Sequence, residues 1–92
     1  MSSTATKEIW QAVCQLLGIS EQPNLSVMHL QEIESEAENL LELLTVLRTD
    51  TYRADAAAAQ ETAAELTIAL EHLQHHIQEL LPILQKKLDL EP

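Results

Sequence analysis

Between residues 26 and 81 the chain has neither glycine nor proline, and apolar residues recur there at alternating three- and four-residue steps. That spacing is the signature of helices packed along a seam. Residues 26–48 carry the row Leu30, Ile33, Ala37, Leu40, Leu44 and Leu47. Residues 52–88 carry a second row, Tyr52, Ala56, Ala59, Ala63, Leu66, Leu70, Leu73, Ile77, Leu80 and Leu84. The first half of this second row is mostly alanine and the second half mostly leucine. Small residues let helix axes approach closely, so the alanine half is expected to face the leucine-rich stretch 40–47.

The two rows are out of phase. Continuing the first from Leu47 leads to Thr51 and Ala54, whereas the second demands Tyr52 and Ala56. A phase break marks either a local distortion of one long helix or a turn. Thr49, Asp50 and Thr51 favour the turn, because their side chains compete for backbone hydrogen bonds and can cap a following helix. The absence of glycine there favours continuity. The expected arrangement is a hairpin turning near Asp50, with Ala59 opposite Leu41 and Leu66 opposite Glu34. The second helix of the hairpin then outruns the first beyond about residue 74. Pro82 lies in this overhang and is expected to kink or restart the helix.

A shorter helix is expected over residues 4–17, where Ile9, Trp10, Val13, Leu16 and Leu17 form one broad apolar face. Gly18 can take the left-handed conformation that ends it. Residues 18–25 form a linker in which Pro23 disfavours helix at Gln22, and Asn24 or Ser26 can cap the next helix. The short helix is the piece able to cover the apolar overhang of the third. Leu41, Leu43, Val46, Ile68, Leu81 and Ile83 lie off both rows and are too many to bury in one hairpin. The expected fold is therefore all-α, a long antiparallel hairpin plus a short N-terminal helix in a single domain, dimerising into a helical bundle.

Composition narrows the function. Ninety-two residues give a modest core without room for an enclosed catalytic pocket. Leu and Ala dominate, Phe is missing, and Trp10 and Tyr52 are the only aromatic residues. Fifteen acidic residues against five basic ones give a formal net charge of −10. Such a surface repels phosphate backbones and anionic lipids, so direct binding to nucleic acid or membrane is not expected. No apolar run spans a bilayer and residues 1–6 lack the basic start of a secretory signal, so a cytoplasmic location is expected. Cys14 stands alone in an apolar stretch and reads as a small buried hydrophobe.

Candidate chemistry is sparse. His72 and His76, four apart on one helix face with Glu79 three further on, are weak candidates for a metal site. In the apolar frame above, His72, His75 and His76 fall outside the seam, so the expectation is exposed histidines and no metal or cofactor. His29 stands apart near a helix start. Glu32, Glu34, Glu36, Glu38 and Glu42 place like charges at four-residue spacing with no Lys or Arg from 26 to 47. These acids are candidates for docking a basic protein, and Leu41, Leu43 and Val46 for an apolar contact. Neither a phosphate-binding glycine loop nor a catalytic nucleophile motif is present. The expected function is that of a non-catalytic adaptor or regulatory module acting through protein–protein contact. The alternatives are a metal-binding bundle using the His72/His76 face and an acidic inhibitor that mimics nucleic acid.

Overall fold

The computed structural model describes residues 3–20 and 24–89. It is all-α: α1 (Ser3–Leu17), α2 (Leu25–Tyr52) and α3 (Ala56–Leu88), with no strand among the described residues. Helices α2 and α3 pack along one another as an antiparallel hairpin. Asp50 meets Thr62 near the turn, Glu36 meets His72 midway, and His29 meets His76 toward the far end. Helix α1 lies against the N-terminal half of α2, where the Trp10 indole Nε1 donates to Glu34 Oε1 at 3.1 Å. The Gln22–Pro23 break lies outside the described residues.

Two helix ends are closed by the same hydrogen-bond pattern, and only one of them announces itself in the sequence. At the end of α1 the Ile19 amide donates to the Cys14 carbonyl and the Gly18 amide to the Gln15 carbonyl. Gly18 has φ +75°, which glycine adopts without strain. This is a Schellman closure, with Cys14 and Ile19 in apolar contact beneath it. At the end of α2 the Asp55 amide donates to the Asp50 carbonyl and the Ala54 amide to the Thr51 carbonyl. The left-handed residue here is Ala54, with φ 53°.

The turn is therefore at Arg53, Ala54 and Asp55, not near Asp50 as expected. Asp55 caps α3 by accepting from the Ala58 amide, and Asn24 caps α2 by accepting from the Val27 amide. Thr49 and Thr51 instead stay helical and return their hydroxyls to carbonyls one turn back. Helix α3 also runs unbroken through Pro82, so it does not restart there. Proline removes one donor from the ladder, and packing of the flanking residues sustains the helix across it.

Moving the turn rotates the seam. The residues buried or half-buried between the two long helices are His29, Ile33, Glu36, Leu40, Leu43, Leu47 and Asp50 on α2. On α3 they are Ala59, Thr62, Leu66, Ala69, Leu73, His76, Leu80 and Ile83. Every second position of the expected rows is retained. The intervening ones give way to a neighbour: Leu44 to Leu43, Ala63 to Thr62, Leu70 to Ala69, Ile77 to His76. Ala63 is accordingly exposed instead of facing the leucine stretch. Beyond the hairpin, a second small core of Cys14, Ile19 and Val27 collects Trp10, Leu17, Leu30, Ile83 and Leu84. So α1 and its closing turn do cover part of the α3 overhang.

Candidate interaction surface

Residues seven apart on a helix point within about 20° of one another. The displaced apolar positions therefore form their own continuous rows, Leu30–Ala37–Leu44 on α2 and Ala56–Ala63–Leu70–Ile77–Leu84 on α3. Each row lies clockwise of the seam on its own helix, and in an antiparallel pair that places both on one side of the hairpin. Leu30 and Leu84, at the end near α1, are packed into the Cys14–Ile19–Val27 core. Toward the turn the rows are uncovered. Leu44 is 40% exposed, Leu70 47% and Ile77 42%, with Leu41 beside them at 65%.

This distal face carries Arg48 but no carboxylate. Apart from Arg48 its polar members are uncharged, chiefly Gln60, Thr67 and Gln74. Glu38 and Glu71 stand at its outer edges, and Glu42, Glu61 and Glu65 point away from it. A chain with fifteen acidic residues has kept them off one strip about 24 Å long, taking residues 37–52 at about 1.5 Å each.

The opposite side of the hairpin is different in kind. An open groove there is lined by Leu43, Ile68 and Ala69 together with Glu36, Glu65 and His72. Leu43, one of the sequence candidates for a partner contact, is only 8% exposed and belongs to the seam. Leu41 and Val46 remain exposed but on different sides of α2. Glu32, Glu34, Glu36 and Glu38 do not form one face either, because residues two apart point in nearly opposite directions on a helix. Glu34 accepts from Trp10 and thereby pins α1. Glu36 is mostly buried beside His72, 3.5 Å from its Nδ1. Glu32 and Glu38 are exposed.

The histidines are not a uniform surface cluster. His29 is buried, His76 is half-buried in the seam, and their Nδ1 atoms are 2.9 Å apart across the two helices. One ring donates and the other accepts, so this bond exists only while at least one of them is neutral. The His75 ring stands edge-on to both. Burial holds the His29 imidazole below its ordinary value of 6.5, the neighbouring His76 and His75 add to the depression, and Glu79 opposes it. His72 and His76, proposed from sequence as a pair, are directed to different partners on α2. Among the described residues no group of three or more His, Cys, Asp or Glu side chains is placed to hold a metal ion.

Sequence reasoning missed the His29–His76 pair because their meeting depends on where the hairpin turns. It missed the uncharged face because apolar periodicity was assigned wholly to the seam. A signal for that face was present: the polar residues interleaved along its α3 row are all amides or hydroxyls. Among the described residues no helix is long and apolar enough to cross a membrane. No protein-family profile matches this chain, and comparison with curated proteins and with solved structures returned no match.

Proposed function

We propose that this chain is a non-catalytic, cytosolic interaction module that works by seating another protein chain on the uncharged face of its α2–α3 hairpin. One observation carries the reading. The apolar rows that α1 packs against at Leu30 and Leu84 continue, uncovered, through Leu44, Leu70 and Ile77. Contiguous exposed apolar surface marks interaction sites once it exceeds a few hundred Å². The one thiol of the chain, Cys14, is fully buried in the small core beneath α1.

A second reading, a basic partner, draws on the opposite side, where Glu36 and Glu65 line the groove with Leu43, Ile68 and Ala69. Such a complex weakens with salt, chiefly through its association rate. The two readings separate by position. A photo-crosslinking residue in place of Leu44 or Leu70, introduced in the source cells, is expected to yield covalent protein adducts. Adducts from Ile68 alone move the site to the acidic side. Adducts from none of the three positions would refute the interaction-module reading.

A further inference from the structure

We infer that the partner on the uncharged face is a second copy of this chain, two hairpins meeting face to face through Leu41, Leu44, Ala63 and Leu70. This rests on the reading of that face as a docking surface and adds the identity of its occupant.

Three features select a second copy. The first is charge. A partner recruited by basic groups is met by carboxylates, and this chain holds its carboxylates at the edges of the face or beyond it. Two chains of net charge −10 repel one another overall, and that repulsion is least where the meeting surfaces carry no carboxylate, as on this side of the hairpin. The charge distribution thus disfavours a basic partner here and permits an acidic one, which a second copy is.

The second feature is continuity. The same rows already bind a helix of this chain: α1 occupies their proximal end through the core of Cys14, Ile19 and Val27. Helix α1 has 15 residues against 28 in α2 and 33 in α3, so it reaches only part of the hairpin. The remaining length is the same kind of surface, a shallow channel between two helices that accepts helical ridges.

The third is size and shape. The particle measures 50 × 34 × 18 Å, and beyond the reach of α1 the hairpin is a single layer of two helices where an α-helical domain normally has two. The uncovered strip, about 24 Å by two helix widths of about 10 Å, presents roughly 450–500 Å² in projection. A symmetric pair therefore covers about 1,000 Å² in total, the area that a specific interface has to clear and the size of a weak, concentration-dependent dimer. The face also holds both large residues (Leu41, Leu44, Leu70) and small ones (Ala56, Ala63), as a self-complementary surface requires.

Sedimentation equilibrium on the purified full chain tests this across roughly 1 to 300 µM, the range an interface of this size reaches. The wild-type protein is expected to approach twice its 10.3 kDa chain mass as concentration rises. Leu44→Glu and Leu70→Glu place a carboxylate at exposed positions of the face and are expected to weaken association at least about 30-fold, with helical circular dichroism retained. Ala63→Glu, a smaller exposed position, gives the same readout should either leucine variant lose helicity. Ile68→Glu, on the opposite side, is expected to leave the dimer intact. A wild-type chain that stays monomeric at the top of the range overturns the inference, as does a dimer that survives Leu44→Glu and Leu70→Glu or is lost only with Ile68→Glu. A monomer that nonetheless gives adducts to a different protein from Leu44 or Leu70 in cells retains the interaction module and removes the second copy. A monomer without adducts removes both.

Discussion

The rotated seam makes opposite demands on two adjacent leucines, and truncating each in turn tests it. Leu43 is 8% exposed and Leu44 is 40% exposed, although the apolar row in the sequence selects Leu44. Leu43→Ala removes three carbons, which at about 0.8 kcal/mol per buried CH₂ amounts to about 2.4 kcal/mol. Leu43 borders the open groove with Ile68 and Ala69, so the space left behind is reached by water and adds little cavity cost. That places the loss near 2–2.5 kcal/mol, the bottom of the range for buried leucines. Leu44→Ala removes the same atoms from a site already largely in water, and alanine is the better helix former, so its cost is about 1 kcal/mol or less. For a domain of this size the difference corresponds to about 4–8 °C or more in Tm. Urea unfolding followed by circular dichroism supplies the comparison, with midpoints compared at a common slope. It is run at the lowest workable protein concentration, so that association contributes least. A Leu44→Ala loss equal to or larger than that of Leu43→Ala would refute the seam assignment, and with it the placement of Leu44 and Leu70 on an open face.

Three further outcomes follow from the geometry. Because burial lowers the His29 pKa in the folded state, its contribution to stability is complete above 6.5 and is lost as pH falls below that value. Urea midpoints should therefore drop as pH falls below about 6.5, and His29→Gln should flatten that part of the profile; an unchanged profile contradicts the burial of His29 against His76. Thr62→Val removes the hydroxyl that donates to the buried Asp50 Oδ2 at 2.9 Å, leaving a carboxylate short of a partner, and should cost about 1–3 kcal/mol while Thr62→Ser restores most of it. Ala54→Gly relieves a left-handed alanine at the turn and should raise stability by about 0.5–1 kcal/mol, the strain relieved less the added freedom of the unfolded chain; destabilisation would show that the turn is elsewhere.

The three helices were legible in the sequence because their signals are local. Gly18 marks the end of α1, Asn24 offers the cap of α2, and the three-four spacing from residue 30 to residue 84 admits little but helix. The turn was not legible, because the left-handed position that glycine marks at residue 18 is filled at residue 54 by alanine, the residue that most favours helix. The seam was legible only at alternate positions. Ile33, Leu40 and Leu47, with Leu66, Leu73 and Leu80, belong to it in either frame. Between them the sequence supplies two candidates: the three-four spacing selects Leu44 over the equally apolar Leu43, and apolarity selects Leu70 and Ile77 over Ala69 and His76. The preference for the more apolar residue fails where a second apolar surface is present. That failure is what separates a seam that holds the hairpin from a face turned outward, and it is also why His29 and His76 meet unannounced.

The face itself is the central claim, and one spin label per chain examines it directly. With Cys14→Ala removing the native thiol, a nitroxide is attached at Ala63→Cys and dipolar coupling between chains is measured by pulsed electron resonance. Two hairpins packed through this face bring the paired labels within roughly 20 Å, about two helix diameters. The same label at Glu61→Cys, which points away, should give a longer distance. Short inter-chain distances from position 63 alone are the predicted result. No coupling from position 63 in labelled protein that still sediments as a dimer, or a shorter distance from position 61, would contradict the account.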